Sequence, residues 1–215
     1  MADPKADLHR YLQQGREAVV AKLDGLGEYD ARRPLVPTGT NLLGLVKHLA
    51  AVELGYLGDT FGRPGELAQL WADLDTDPLA DMWVPAEESR EEVLALYHLA
   101  WEHGDATIAA LPLDAPGRVP WWPEERAAVT LHQVLVHLVA ETHRHAGHAD
   151  LVRELIDGAA GRRPGDPSFP DQDATRWRAH YLRVEEAARR AGGEEEAAAE
   201  REGVSGEGEP TVMPE

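Results

Sequence analysis

The sequence predicts an all-α protein, a four-helix bundle in up-down-down-up or similar order, with long loops and an extra C-terminal helix. Three observations carry this expectation. Apolar residues recur at three- and four-residue spacing through four long segments. Two of those segments open on capping-box patterns, and no stretch alternates convincingly at period two. At 215 residues, 43% of them hydrophobic, the chain is long enough to bury one sizeable core.

Each element follows from its pattern. Leu8, Tyr11, Leu12, Val19, Leu23 and Leu26 form the stripe of an amphipathic first helix. Thr38 to Asn41 supplies N-cap residues for a second, whose stripe is Leu42, Leu45, Val46, Leu49, Val52, Tyr56 and Leu57. Ser89-x-x-Glu92 opens a third, carried on by Val93, Leu96, Tyr97, Trp101, Ile108 and Leu111. Thr130-x-x-Gln133 opens a fourth, which runs through Leu131, Val134, Leu135, Leu138, Thr142, Ala149, Val152 and Ile156 to a glycine cap at Gly158. Asp173 to Arg190 forms a fifth helix packed outside the bundle. The expected organisation is one bundle domain over 1–191, with its core at 7–158 and the extra helix at about 173–190. Residues 192–215 hold eight acids against one base and little apolar surface, which predicts a disordered, solubilising tail.

Two long loops rich in proline and tryptophan join these helices: Phe61 to Glu88, with Trp71 and Trp83, and Pro112 to Val129, with Trp121 and Trp122. Loops of this length in a compact domain are uncommon and often functional. Their tryptophans either roof a pocket at the bundle end or cap the core.

Composition narrows the function. Lys+Arg 21 against Asp+Glu 39 gives a formal net charge of −18, which argues against nucleic acid and anionic membranes as partners, because phosphate binding needs clustered cations. With Cys at 0, disulfides, thiolate-held zinc, iron–sulfur clusters and a cysteine nucleophile are excluded, so any thiol chemistry must come from a bound small molecule. The segment from Met1 to Arg10 is polar, and the apolar run Leu42 to Leu57 is broken by Lys47, His48 and Glu53. A cytoplasmic protein acting on a small molecule is expected. Exposed apolar positions on the first helix suit a homodimer.

The histidines carry the chemistry. There are 10, five of them between His132 and His148 on the fourth helix. Projected at 100° per residue with Leu138 at zero, the apolar stripe centres near about 10°. Glu141 falls at about 300° and His145 at about 340°, facing into the bundle, while His148 and His137 fall on the flank and His132 and His143 point to solvent. A carboxylate on an apolar face needs a partner, which is a protein cation or a metal. Lysines are scarce (Lys5, Lys22 and Lys47), and Arg144 and Arg153 project off the stripe. On the second helix, His48 lies at the stripe's edge, within reach of Glu141 and His145. Two imidazoles and one carboxylate suit zinc or a similar divalent ion with an open coordination position. A satisfied, metal-free polar cluster of the same three residues competes with that reading.

The run Glu141-Thr-His-Arg-His145-Ala-Gly-His148-Ala-Asp150 and onward to Gly158 resembles the last bundle helix of the DinB-like (DinB/YfiT) superfamily. Thr40-Asn-Leu-Leu-Gly-Leu-Val-Lys-His48-Leu resembles its second helix. The resemblance spans about Asp7 to Gly158 and is nearest to an actinobacterial group of unassigned function; mycothiol-dependent maleylpyruvate isomerase is more distantly similar. It implies a four-helix bundle, often dimeric, with a divalent metal held by one residue of helix two and two residues four apart on the last helix. Those positions here are His48, Glu141 and His145. Many DinB-like proteins carry histidine where this chain has Glu141, as the isomerase also has glutamate, which leaves the metal open: zinc first, then nickel, iron or manganese.

The resemblance also implies a function: a metal-dependent transferase or isomerase that uses a low-molecular-weight thiol of the mycothiol type on a small electrophile. In that reading His148 and His137 orient a ligand or act as general base, or else pack behind the ligands. Trp121, Trp122 and Trp83 wall the cosubstrate pocket. A metal-dependent small-molecule hydrolase and a non-catalytic, stress-related metal-binding bundle are the alternatives.

Overall fold

The computed structural model describes residues 3–65, 74, 76–161 and 173–204. It divides into two compact units, Met1–Phe169 and Pro170–Glu215. The first unit contains helices α1 (Pro4–Ala21), α2 (Glu28–Arg32), α3 (Leu42–Leu57), α4 (Arg90–Ala110), α5 (Glu124–Ala127) and α6 (Leu131–Asp157). Strands β1 (Pro116–Arg118) and β2 (Ala128–Thr130) pair antiparallel, with Gly117 opposite Val129. In the second unit, α7 (Ala174–Val204) is the described element.

Capping chemistry sets the helix starts. Asn41 accepts from the Gly44 N–H at 2.8 Å to open α3. Ser89 and Glu92 form a reciprocal capping box at α4, as Thr130 and Gln133 do at α6. Gly158 ends α6 in the left-handed region at φ 78°.

The pairings give the helix directions. Lys22 at the end of α1 meets Asp150 late in α6 at 2.6 Å, and His143 midway along α6 meets the Tyr11 carbonyl, so α1 and α6 run together. Lys47 meets Glu88 just ahead of α4 at 2.7 Å, and a Cβ on Gly104 would press on Leu57, so α3 and α4 also run together. Lys5 at the start of α1 donates to the Leu111 carbonyl at the end of α4, which sets the two pairs antiparallel. The order is up-down-down-up. Helix α3 is the central one: along its length only His48 and Val52 escape full burial.

Because α3 and α4 are parallel, the connection between them crosses the whole bundle. Its second half is tied down at several points. Asn41 donates to the Met82 carbonyl at 3.2 Å, and Arg32 donates to the carbonyls of Pro85 and Glu88 at 3.0 and 2.9 Å. Gly44 lies so close that a Cβ there would collide with the Met82 carbonyl oxygen. Gly44→Ala is therefore expected to lower stability by about 1–3 kcal/mol through overpacking, measured by thermal unfolding, and to weaken metal binding by displacing the same segment.

Three features differ from the sequence expectation. The first helix stops at Ala21, although Leu23 stays buried and Leu26 packs on the core, because the chain turns there and Gly25 adopts φ 73°. The Pro112–Val129 loop contains the β1–β2 ladder, whose three-residue strands are too short to give a period-two signal. Helix α7 falls in the second unit and extends to Val204, past the expected end near 190, since the Ala/Glu-rich stretch after Gly193 is made of strong helix formers. Residues 205–215 of the expected tail, and Trp71, lie outside the described residues.

Candidate metal centre

Helix geometry brings the three expected ligands together. Glu141 and His145 sit one turn apart on α6, and α3 crosses antiparallel so that His48 meets both. One ligand atom from each lies within 4.8 Å of the other two. The Glu141 Oε1 atom is 3.0 Å from His145 Nε2 and 3.8 Å from His48 Nε2, and the two imidazole centroids are 4.9 Å apart. Ligand atoms held about 2.1 Å from a tetrahedral zinc stand about 3.4 Å from one another, so these separations bracket the required spacing. The donor set fits a divalent ion.

Electrostatics favour the metal-binding forms of Glu141 and His145. Burial lifts the Glu141 carboxyl, but His145 and His48 pull it further down, leaving it below the ordinary carboxylate value. Burial and the neighbouring His48 ring hold His145 below its ordinary imidazole value, against the attraction of Glu141. Carboxylate and neutral imidazole are the states that coordinate.

Behind His48 stands a residue the sequence did not reveal. Asp81 Oδ2 lies 2.7 Å from His48 Nδ1, with only 10% of its side chain exposed. This is the carboxylate–histidine arrangement that fixes the tautomer and leaves Nε2 to the metal. Asp81 belongs to the crossover, 33 positions from its partner and in no periodic segment, so spacing could not expose it.

The other candidates take distinct places. His148 is exposed, its Nδ1 3.4 Å from His145 Nδ1. His137 is half-buried one turn before Glu141, its ring 4.6 Å from Tyr56 and 5.7 Å from Trp122. Trp121 and Trp122 both pack edge-on against Tyr56, at 5.1 and 5.9 Å. Trp83 is 50% exposed in the other loop, two residues beyond Asp81.

A second carboxylate, Glu53, is buried where Glu141 is partly exposed and, among the described residues, has the arginine partner that Glu141 lacks. Arg16 on α1, fully buried, pairs with Glu53 through Nη2 and Nε, and its Nη1 reaches Asp105 on α4 at 2.8 Å. His9 meets the same Asp105 oxygen at 2.8 Å. Complete burial pushes the Glu53 carboxyl up to about 7 against the pull of Arg16. The sequence signal was present, a carboxylate inside an apolar run, but its partner lies on another helix.

An up-down-down-up bundle whose second and last long helices bring two imidazoles and a carboxylate to one point is a DinB-like bundle. The chain belongs to the mycothiol S-transferase family, whose model matches residues 7–158. A conserved protein from Enterococcus faecalis has a similar fold, with a TM-score of 0.57 and 15% identity over 74% of this chain and 100% of that one. No curated protein matches the sequence. Among the described residues, no helix is long and apolar enough to cross a membrane.

Proposed function

We propose that the protein is a metal-dependent S-transferase that joins a low-molecular-weight thiol of the mycothiol type to a small electrophile. The observation that carries the reading is the convergence of His48, Glu141 and His145 in a chain of the mycothiol S-transferase family. Zinc is the ion we assign. When bound, such an ion lowers the pKa of a thiol in its open position and so supplies a nucleophile at neutral pH.

The chain's own residues do the rest. Glu141 contributes the one charged ligand, and Asp81 orients His48. His137 and His148 flank the ligands on α6, one towards each end of the helix, and orient the incoming molecules. Trp121 and Trp122 shield the Tyr56 side from water. In the net reaction the sulfur–carbon bond forms, the leaving group departs with its bonding pair, and the thiol proton passes to solvent.

Thiol consumption by the zinc-loaded protein in the presence of an electrophile tests this, with disappearance of activity on chelation and recovery on adding zinc as the expected result. Turnover of the electrophile without any thiol would overturn the reading in favour of hydrolysis. Asp81→Asn is expected to weaken zinc affinity by about 10–100-fold, read by competition with a chromophoric chelator, while leaving the unfolding temperature of the metal-free protein unchanged.

A further inference from the structure

The two helical stripes that carry the ligands continue past them. On α3, His48, Val52 and Tyr56 follow at one-turn intervals; on α6, antiparallel to it, His145, Glu141 and His137 do the same. At the Tyr56–His137 end lies a cavity of about 380 Å³, walled by Tyr56, Trp122, Val129, Val134 and His137. His137 joins it to the ligand triad, one turn and about 6 Å of helix axis from Glu141. The volume suits a small organic ligand.

The polar groups of this cavity are partly committed, and its charged lining residues, Glu125 and Arg126, are exposed to solvent. Trp122 Nε1 donates to the Tyr56 hydroxyl at 3.0 Å, which holds the two rings against each other. Gln133 uses its side-chain oxygen to accept from the Thr130 N–H at 2.9 Å. Arg126 is the cation among the lining residues and Glu125, beside it, the acid; an acceptor group on a ligand is drawn to the first and repelled by the second. A polyhydroxylated ligand would find partners only at the exposed Glu125, Arg126 and Gln133, and its hydroxyls set against Val129, Val134 and aromatic carbon would lose water without replacement. A flat apolar group instead buries its faces against Tyr56 and Trp122 in the edge or offset arrangements that aromatic rings favour.

We infer that this cavity receives the electrophile, and that the electrophile is a planar, apolar ring or conjugated group with an acceptor substituent directed at Arg126. The role of the ligand as electrophile rests on the transferase reading; the preference for a planar apolar ligand does not. The hydrophilic thiol then enters from the opposite side of the triad, where His148 is open to solvent.

The test separates the two. Calorimetric titration of the zinc-loaded, full-length protein with 2,4-dinitrotoluene, which is planar, apolar and unreactive towards thiols, is expected to give saturable binding. Ala128→Phe, on an exposed residue of the lining, is expected to weaken that binding about tenfold with zinc content and unfolding temperature unchanged. Arg126→Gln, which keeps the test alive if Ala128→Phe misfolds, is expected to weaken 2,4-dinitrobenzoate several-fold and 2,4-dinitrotoluene less, since a carboxylate accepts from the guanidinium more strongly than a nitro group does. Absence of binding, equal binding by wild type and Ala128→Phe, or displacement of the nitroarene by myo-inositol each overturns the inference. If 2,4-dinitrotoluene binds as expected but 1-chloro-2,4-dinitrobenzene releases S-aryl product and chloride with zinc and thiol present no faster than in the absence of the protein, the cavity assignment stands and the transferase reading falls.

Discussion

Glu141→Ala is expected to reduce zinc affinity more than about a hundredfold, a larger loss than that of a residue acting behind a ligand, because it removes the single charged donor. The carboxylate oxygen is the atom both imidazoles approach, at 3.0 and 3.8 Å, and without it the donors that remain are the two imidazoles, whose rings meet edge-on. Two neutral donors leave the ion's charge uncompensated in a half-buried site. Thiol transfer is expected to fall with metal content, and excess zinc is expected to restore only part of it. Elemental analysis of purified wild type and variant checks the claim directly. Equal metal content in the two proteins would remove Glu141 from the site. The metal-free forms should unfold at similar temperatures, since Glu141 retains 24% side-chain exposure and lies outside both hydrophobic clusters.

Glu53→Leu is expected to destabilise the bundle by about 3–5 kcal/mol, roughly 6–20 °C in unfolding temperature. The cause is the partner left behind. Arg16 is fully buried, and loss of Glu53 leaves its guanidinium with Asp105, a partly exposed residue shared with His9, and Gln13. The double variant Arg16→Met/Glu53→Leu is expected to recover most of the loss, because replacing a whole buried pair with apolar side chains is often neutral or stabilising. A double variant no more stable than the single would show that packing, not the orphaned charge, sets the cost. Zinc affinity is the control: Glu53 stands five residues from His48, about 140° round α3, and faces α1 and α4 instead of α6. Its removal should leave the metal site intact.

These two carboxylates also mark how far the sequence could be read. Glu141 was legible because its nearest partner, His145, shares its helix, where the 3.6-residue period fixes which side chains meet. The starts of α3, α4 and α6 were legible for the same reason: a cap and its N2 or N3 partner are local. Glu53 was visible as a charge in an apolar run, but Arg16 lies on a different helix, 37 positions away, and only the packing of α1 on α3 makes the pair. Asp81 was further out of reach, since nothing in an aperiodic loop marks which acid will dock on His48. The end of α1 was misplaced because Leu23 and Leu26 keep the apolar spacing of a helix through turns that still pack on the core. Periodicity reports burial, and helix only where the backbone continues.

The parallel course of α3 and α4 has a consequence for how the site is tuned. After Leu57 the chain must travel back the length of α3, about 24 Å, before α4 begins, and the return strap brings Asp81 to the reverse face of a ligand. A substitution of Asp81 in that strap leaves the three donors in place, yet removes the hydrogen bond that orients His48. The affinity of the centre is thus open to adjustment from a loop, without exchange of any of the three liganding residues.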